Sequence, residues 1–557
     1  MPRIKHIIWP LLLLCQLSLL AQQVDSLNKV SPVQLQGSLS VGSFVYHSTR
    51  ENNPLQPFGY SLNANAQLRI HKWYIPISAA LNQQGSSLST PFNRIGVSPT
   101  YKSLRLHLGH TNLNWSPFLL NGATVLGAGA EWTPKSIRMG ILHGRLLNRP
   151  RFIGNGPQLP TYRRNFRAYK VGLGTDQSYL DFMLVKGRDD ISSLSEEPDS
   201  VLAAIPAQEN VGIGMDSRFS FAKDRLVLKT DLALSIFTED LRFDTLRVEN
   251  NDFARWVLDN VIPANASSNA TYAGEAELQW RSRNFSLAGT YRRVMPEFQS
   301  FGANYLLTDL EAITLNPSWQ LLDGKLILGG SLGVQYNNLD DRLLAKTKRN
   351  IGGLDINLIP APHWGVALQY SNFSFNQQVL LDSLRQDSFV IDQINNNITL
   401  APHYSIIRDD LQQHFFLNLN YQGFRDEAVF NELSTDNDLF LANLNYMLYM
   451  TPLRTSITAG VNYLRFSSET INQKQFGLQI GARKALLDDK LKLSMNGQWV
   501  KSRNEQFMAN NLMLRFGCSY RTSKMSTLTL NSFWQSSDNL IGQYTDLRAQ
   551  ISYRWRW

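Results

Sequence analysis

Phe58–Ile70 reads FGYSLNANAQLRI and alternates without a break. Phe58, Tyr60, Leu62, Ala64, Ala66, Leu68 and Ile70 hold one set of positions, and Gly59, Ser61, Asn63, Asn65, Gln67, Arg69 and the following His71 hold the other. A period of two sends successive side chains to opposite faces of a strand, so this segment has an oily side and a wet side. The pattern recurs along the chain. Leu226, Leu228, Leu232, Leu234 and Ile236 oppose Lys229, Asp231 and Ser235, and Tyr272, Ala276, Leu278 and Trp280 oppose Glu275, Glu277, Gln279 and Arg281.

The composition restricts what such strands can build. Of 557 residues, 43% are hydrophobic, 11% aromatic and only 18% charged, with mean hydropathy at −0.23. The charged share lies below the roughly 25% of ordinary soluble domains. Past residue 21 no run reaches the roughly 18 apolar residues that a spanning helix needs, so any crossing of a membrane is made by strands. One cysteine, Cys518, remains beyond residue 21, which excludes an intramolecular disulfide framework. It lies in phase with Leu512, Leu514, Phe516 and Tyr520, and so reads as a small hydrophobe of the oily face.

The connections carry a second signal. Tight ones at 222–225, 282–284, 322–325, 360–362, 487–490 and 522–524 alternate with long polar ones near 147–163, 188–208, 239–269, 295–308, 374–395 and 425–436. Turns at one end and loops at the other describe an all-β, antiparallel, up-and-down transmembrane barrel. Counting alternating segments gives about 26 strands, within a range of about 22 to 28, since strand boundaries are the least legible feature of a sequence. Aromatic residues gather near strand ends, where bilayer meets water: Trp73, Trp132, Trp280, Trp319, Trp364 and Tyr520 beside short turns, Trp499, Trp534, Tyr291, Tyr336 and Tyr370 at the opposite ends.

The terminal stretch YTDLRAQISYRWRW places Leu547, Ala549, Ile551, Tyr553, Trp555 and Trp557 against Arg548, Gln550, Ser552, Arg554 and Arg556. It resembles the last strand of bacterial outer-membrane β-barrel proteins, and the resemblance extends over essentially the whole chain. The resemblance implies a Gram-negative outer membrane, lipid as the surrounding medium, and a barrel-assembly machinery that reads Ile551, Tyr553, Trp555 and Trp557. Trp557 stands where such chains more often end in Phe. The opening MPRIKHIIWPLLLLCQLSLLA, with Arg3 and Lys5 ahead of an apolar stretch and Ala21 at its end, reads as a secretory signal peptide of residues 1–21. Residues 22–557 are then a single barrel domain. Its first strand, with Val33, Leu35, Leu39 and Val41, is expected to pair with the last, and starts too soon after Ala21 for a globular plug domain.

A barrel of this size encloses a lumen too wide for strand side chains to fill. Water, inward loops or a partner protein must occupy it. Within Glu239–Asn269, Phe253, Trp256 and Val257 recur at helical spacing, which leaves two readings, a short helix folded into the mouth as a constriction or an ordinary exposed loop. The wet faces bring Arg69, Arg105, Arg138, Lys229, Arg281, Arg515, Arg548 and Arg554 to the lumen together with Glu275 and Glu277. Such side chains either select anions or neutralise one another across strands.

No motif singles out catalysis. His107 and His110, three apart on a strand, point to opposite faces and cannot share a metal. His71, His363 and His403 have Ser and Asp nearby, without a local signature of a nucleophile and its base. The acidic run Asp189, Asp190, Glu196, Glu197 and Asp199 lacks calcium-loop spacing and is expected to be a solvated loop. The expectation is a passive conduit for polar solutes or polymers, without cofactor, metal, enzymatic activity or nucleic-acid partner. The competing expectation is a structural barrel of an envelope secretion or assembly complex, whose lumen or loops bind another protein.

Overall fold

The computed structural model describes residues 33–557 apart from 51–56, 83–93, 147–150, 153–157, 196, 199–201, 204, 245–261, 263, 304–305, 380–390, 427–434, 505–506 and 540–541. One antiparallel sheet dominates it. Its 27 strand segments make a closed ring of 26 strands, because Arg94–Val97 and Thr100–Tyr101 are two pieces of one interrupted strand between Trp73–Asn82 and Leu104–Thr111. Every strand pairs with its neighbours in the chain. A separate two-stranded hairpin, Arg151–Phe152 with Gln158–Leu159, sits in one of the long connections.

Closure joins Val33–Ser48 to Gly542–Arg556 in the register Leu39↔Trp555 and Val41↔Tyr553. The seam is fastened at both ends. The Gly37 amide donates to the Trp557 carbonyl at 3.0 Å and the Trp557 amide returns a bond to Gly37 at 3.2 Å. A Cβ on Gly37 would stand 2.7 Å from the Trp557 ring, so glycine is what lets the terminal indole lie flat on the first strand. At the other end Tyr46 and Arg50 donate to the Asp546 carboxylate at 2.8 and 2.6 Å. In hydrocarbon an unpaired strand edge would leave a row of unsatisfied backbone groups, so a seam secured along its length is a condition of stability.

The two faces separate as the alternation requires. Leu232, Leu234, Tyr272, Leu278 and Trp280 are exposed on the outer face, while Asp231, Ala233 and Ala273 are buried on the inner one. Cys518 lies on the outer face, opposite Leu493 and Leu530 in the register. Short turns share a recurring backbone: Ala222, Lys223 and Asp224, and likewise Leu487, Asp488 and Asp489, take three successive positive φ values. One expectation about connections is corrected. Strands run on to Val379 and begin again at Ile391, so the connection read as 374–395 is shorter: SNFSFNQQV continues its strand with its apolar set, Phe373 and Phe375, out of phase with Trp364, Val366, Leu368 and Tyr370 before it.

Candidate functional site

The strand Leu104–Thr111 is only 8 residues long, and so is Val125–Trp132 after it. Between them the chain turns into the barrel. Residues 112–124, LNWSPFLLNGA at their centre, lie against the inner face, with Leu113, Trp115, Phe118, Leu119, Leu120 and Ala123 all buried. They pack on inward side chains of one arc of the ring: Leu142, Phe166, Ala168, Val185, Ala233, Ala273 and Val294.

Polar anchors fix the loop. The Trp115 indole donates to Glu131 at 2.9 Å, and its ring stands over Gly140, where a Cβ would be 2.6 Å away. Lys170 approaches the same ring at 5.0 Å and Glu131 at 3.7 Å. The Ser116 hydroxyl donates to Asp231 at 2.8 Å. Leu119 fills the space left by Gly212 and Gly214, where added Cβ atoms would lie 2.6 and 2.5 Å from it. Both glycines point inward on the Glu209–Phe221 strand, so their missing side chains make the socket.

A second inward segment locks the first. Residues 295–303 place Phe298 against Phe118, ring centroids 6.3 Å apart in a T-shaped arrangement. The Ser300 hydroxyl donates to the Leu119 carbonyl at 3.1 Å, and the Asn121 amide to the Gly302 carbonyl at 2.8 Å. The buried Asn210 accepts from the Phe301 amide at 3.2 Å and donates to the Gln299 carbonyl at 3.3 Å. Arg164 lies 3.4 Å from the Phe301 ring centre while holding Asp189 with two bonds of 2.7 and 2.9 Å. Asp189 is therefore a buried, clamped carboxylate rather than part of a solvated acidic loop, which corrects that expectation. Above these segments, at the long-loop end, Tyr162, Ile205 and Ala207 form a small cluster with Leu241. Beside it the Arg242 guanidinium holds the Asp240 carboxyl below its usual range.

The inner wall beyond this filled sector is different. From Ile391–Ile407 round to Gly542–Arg556 it presents amides and hydroxyls, tied across strands: Asn420 donates to Asn397 at 2.7 Å and to Thr399 at 2.8 Å. Asn418, Asn443 and Asn462 stand in one register row, and Phe416, Asn445, Gly460, Gln479 and Gln498 in the next. A depression of about 440 Å³ lies there, lined by Phe416, Asn445, Gln479, Asn496, Gln498 and Arg515. Among the described residues no segment covers this wall.

The charged residues expected in the lumen share the inner face without forming one cluster. In the filled sector they are neutralised: Arg138 holds Asp181 at 2.8 Å and Asp176 at 3.0 Å, Lys229 holds Glu277 at 2.9 Å, and Glu275 faces Arg292 at 3.4 Å. Arg281 donates to Gln279 at 2.7 Å. Arg69, Arg105, Arg515, Arg548 and Arg554 have no ion pair among the described residues; Arg515 and Arg548 lie over Phe533 and Phe44 at 5.7 and 5.0 Å. Phe253, Trp256 and Val257 lie outside the described residues, and the constriction that is described comes from 112–124 and 295–303. The sequence did carry its signal: Phe118, Leu119 and Leu120 are consecutive apolar residues after Pro117, which no two-faced strand accommodates. Ile551, Tyr553 and Trp555 point outward on the closing strand, and Trp557 lies on Gly37.

His107 and His110 do face opposite ways. His107 is buried inside, 3.1 Å from Glu131, and His110 contacts the Ile95 backbone. Ser405 and His414 meet at 2.8 Å on the inner wall, and no carboxylate orients that imidazole among the described residues. A hydroxyl–imidazole pair without its third member is poorly set for nucleophilic work. No group of His, Cys, Asp and Glu with metal-binding arrangement occurs among the described residues.

A sealed ring of strands with a greasy outside and a polar inside decides the architecture. The chain has the outer-membrane β-barrel fold. No protein-family model matches it, and no curated protein does. Solved structures similar to it include the P pilus usher (PapC) translocation pore, at 12% identity over 94% of this chain and 99% of that one with a TM-score of 0.38. The copper transporter OprC is similar at 10% identity over 94% and 80%, TM-score 0.40. OccAB2 of Acinetobacter baumannii matches at 12% over 63% and 93%, TM-score 0.29. These are likenesses of barrel architecture.

Proposed function

We propose that the protein is a passive outer-membrane conduit for polar solutes, whose path runs along one side of the lumen. The observation that carries this reading is the amide wall around Asn420, Asn443, Asn462, Gln479 and Gln498, which no segment covers among the described residues, facing a sector that the chain's own loops have filled. Amides offer both donors and acceptors and so replace the hydration of a neutral polar solute in passing. Arg515, Arg548 and Arg554, without an ion pair among the described residues, add a preference for anions, while Arg138, Lys229 and Glu275 stiffen the filled side. The reading includes export by removal of residues 1–21 and assembly through the Ile551, Tyr553, Trp555 and Trp557 strand.

Planar-bilayer recording of the purified chain tests it. Discrete nanosiemens-scale steps support a conduit; a silent, folded barrel that co-purifies with other envelope chains supports the structural-partner role instead.

A further inference from the structure

The outer face is not symmetric between its two rims. At the short-turn end the outward strand positions hold Trp73, Trp132, Trp280, Trp319, Trp364, Tyr404, Tyr520 and Trp555, with Lys484 as their one cation among the described residues. At the long-loop end outward cations gather. Arg145, Asn165, Arg188 and Glu209 form one register row across four strands, and His143, Arg167, Lys186 and Val211 the row below it. Arg163 adds a third row beside Asp190.

Five Lys and Arg side chains thus occupy three adjacent strands, on a patch about 10 Å across and 13 Å along given the spacings of a β-sheet. Lys186 and Arg188 converge on the buried Glu209 at 3.0 and 3.4 Å, which fixes the middle of the patch. Arg145, Arg163 and Arg167 make no ion pair among the described residues. Immediately toward the membrane centre the same strands expose Ile141, Tyr169, Val171 and Phe182. On the other side of the barrel the device recurs: Arg465, Lys474 and Arg503 share a row, with Lys501 beside Phe476 in the next, and none is ion-paired among the described residues.

A cation facing hydrocarbon is costly, and the cost falls toward zero only at the interface. Unpaired cations directly above an apolar belt therefore need an anionic layer at that depth. We propose that the Arg145–Arg163–Arg167–Lys186–Arg188 patch binds the phosphates of a phosphorylated glycolipid of the outer leaflet, with its acyl chains on the Ile141–Tyr169–Phe182 surface. Guanidinium groups suit the task because they pair with phosphate oxygens through two hydrogen bonds at once. A soluble anion would use the cations and leave the contiguous apolar strip uncovered. The second cluster, Arg465, Lys474, Lys501 and Arg503, serves the same layer across the barrel and sets the long-loop rim outward. The inference rests on outer-membrane placement but is independent of conduction.

The full chain in neutral detergent, titrated with bisphosphorylated lipid A, its dephosphorylated form, or inorganic phosphate and followed by native mass spectrometry, provides the test. The expected result is at least ten-fold tighter binding of the bisphosphorylated lipid than of the dephosphorylated one. That preference should fall about ten-fold in R145Q/R163Q/R167Q and remain in K484Q. Equal binding of both lipids, or an unchanged preference in the triple variant, overturns the proposal. Displacement of the lipid by equimolar inorganic phosphate also overturns it, by showing a free-anion site. Should the triple variant not fold, K474Q/K501Q/R503Q is read in its place for the second cluster, with the same two outcomes.

Discussion

The two sides of this barrel solve one problem in opposite ways. A ring of 26 strands cannot fill its own middle with strand side chains. On the side of Val125–Trp132 round to Leu310–Leu321, the chain folds 112–124 and 295–303 inward and builds a buried core on Phe118, Leu119 and Phe298. On the side of Ile391–Ile407 round to Gly542–Arg556, no such segment intrudes among the described residues, and the wall is finished with amides that bond one another across strands. Inward glycines on the first side receive Leu119; inward Asn and Gln on the second meet water. The chemistry of inward positions thus reports what lies against them.

The largest effect expected from breaking this contrast is on conduction. Replacing residues 115–120 by a Gly/Ser hexapeptide should raise single-channel conductance several-fold, since the filled sector would open; an unchanged conductance would mean that another segment closes that side. Stability should divide the two sides next. Phe118→Ala removes a fully buried ring and should cost about 3–5 kcal/mol in urea unfolding from lipid vesicles. Phe416→Ala, on the open wall, should stay within about 0.5 kcal/mol. Equal losses would erase the distinction.

A smaller difference is expected from polar anchors. Ser116→Ala deletes the bond to Asp231 and should cost about 1–3 kcal/mol, because a buried acceptor is left without its donor. Asn420→Ala, bonded on a wet wall, should fall within about 0.5 kcal/mol. The smallest effect is electrical. R515Q/R548Q/R554Q should shift the reversal potential in a salt gradient away from anion preference, whereas K229Q/E277Q should leave it nearly unmoved because it removes a pair that carries no net charge.

The sequence revealed the ring more readily than its contents. Alternation is a property of each strand alone, so Phe58–Ile70 or Leu226–Thr238 declares its faces without reference to anything distant. Turn and loop alternation then orders the strands, and the terminal stretch closes the ring on Val33–Ser48. What fills the lumen depends on contacts between residues more than a hundred positions apart, such as Ser116 with Asp231 or Leu119 with Ser300, and no local period encodes those. The charged positions were legible as inward-facing, yet their division into paired and unpaired sets follows from register: Lys229 stands directly opposite Glu277 only once the two strands are aligned. The break at Pro117–Leu120 was the one local trace of the inward loop. It was masked by the alternating LHLGHTNLNW before it.

Among the described residues the lumen is closed by the chain's own loops on one side and open along the other. Single cysteines placed at Asn462 and Ala273 in a Cys518→Ser background test it most directly. A charged thiol reagent added during bilayer recording should change the current through the Asn462→Cys protein promptly and leave the Ala273→Cys protein untouched. Prompt modification at both positions, or at Ala273 alone, would contradict it.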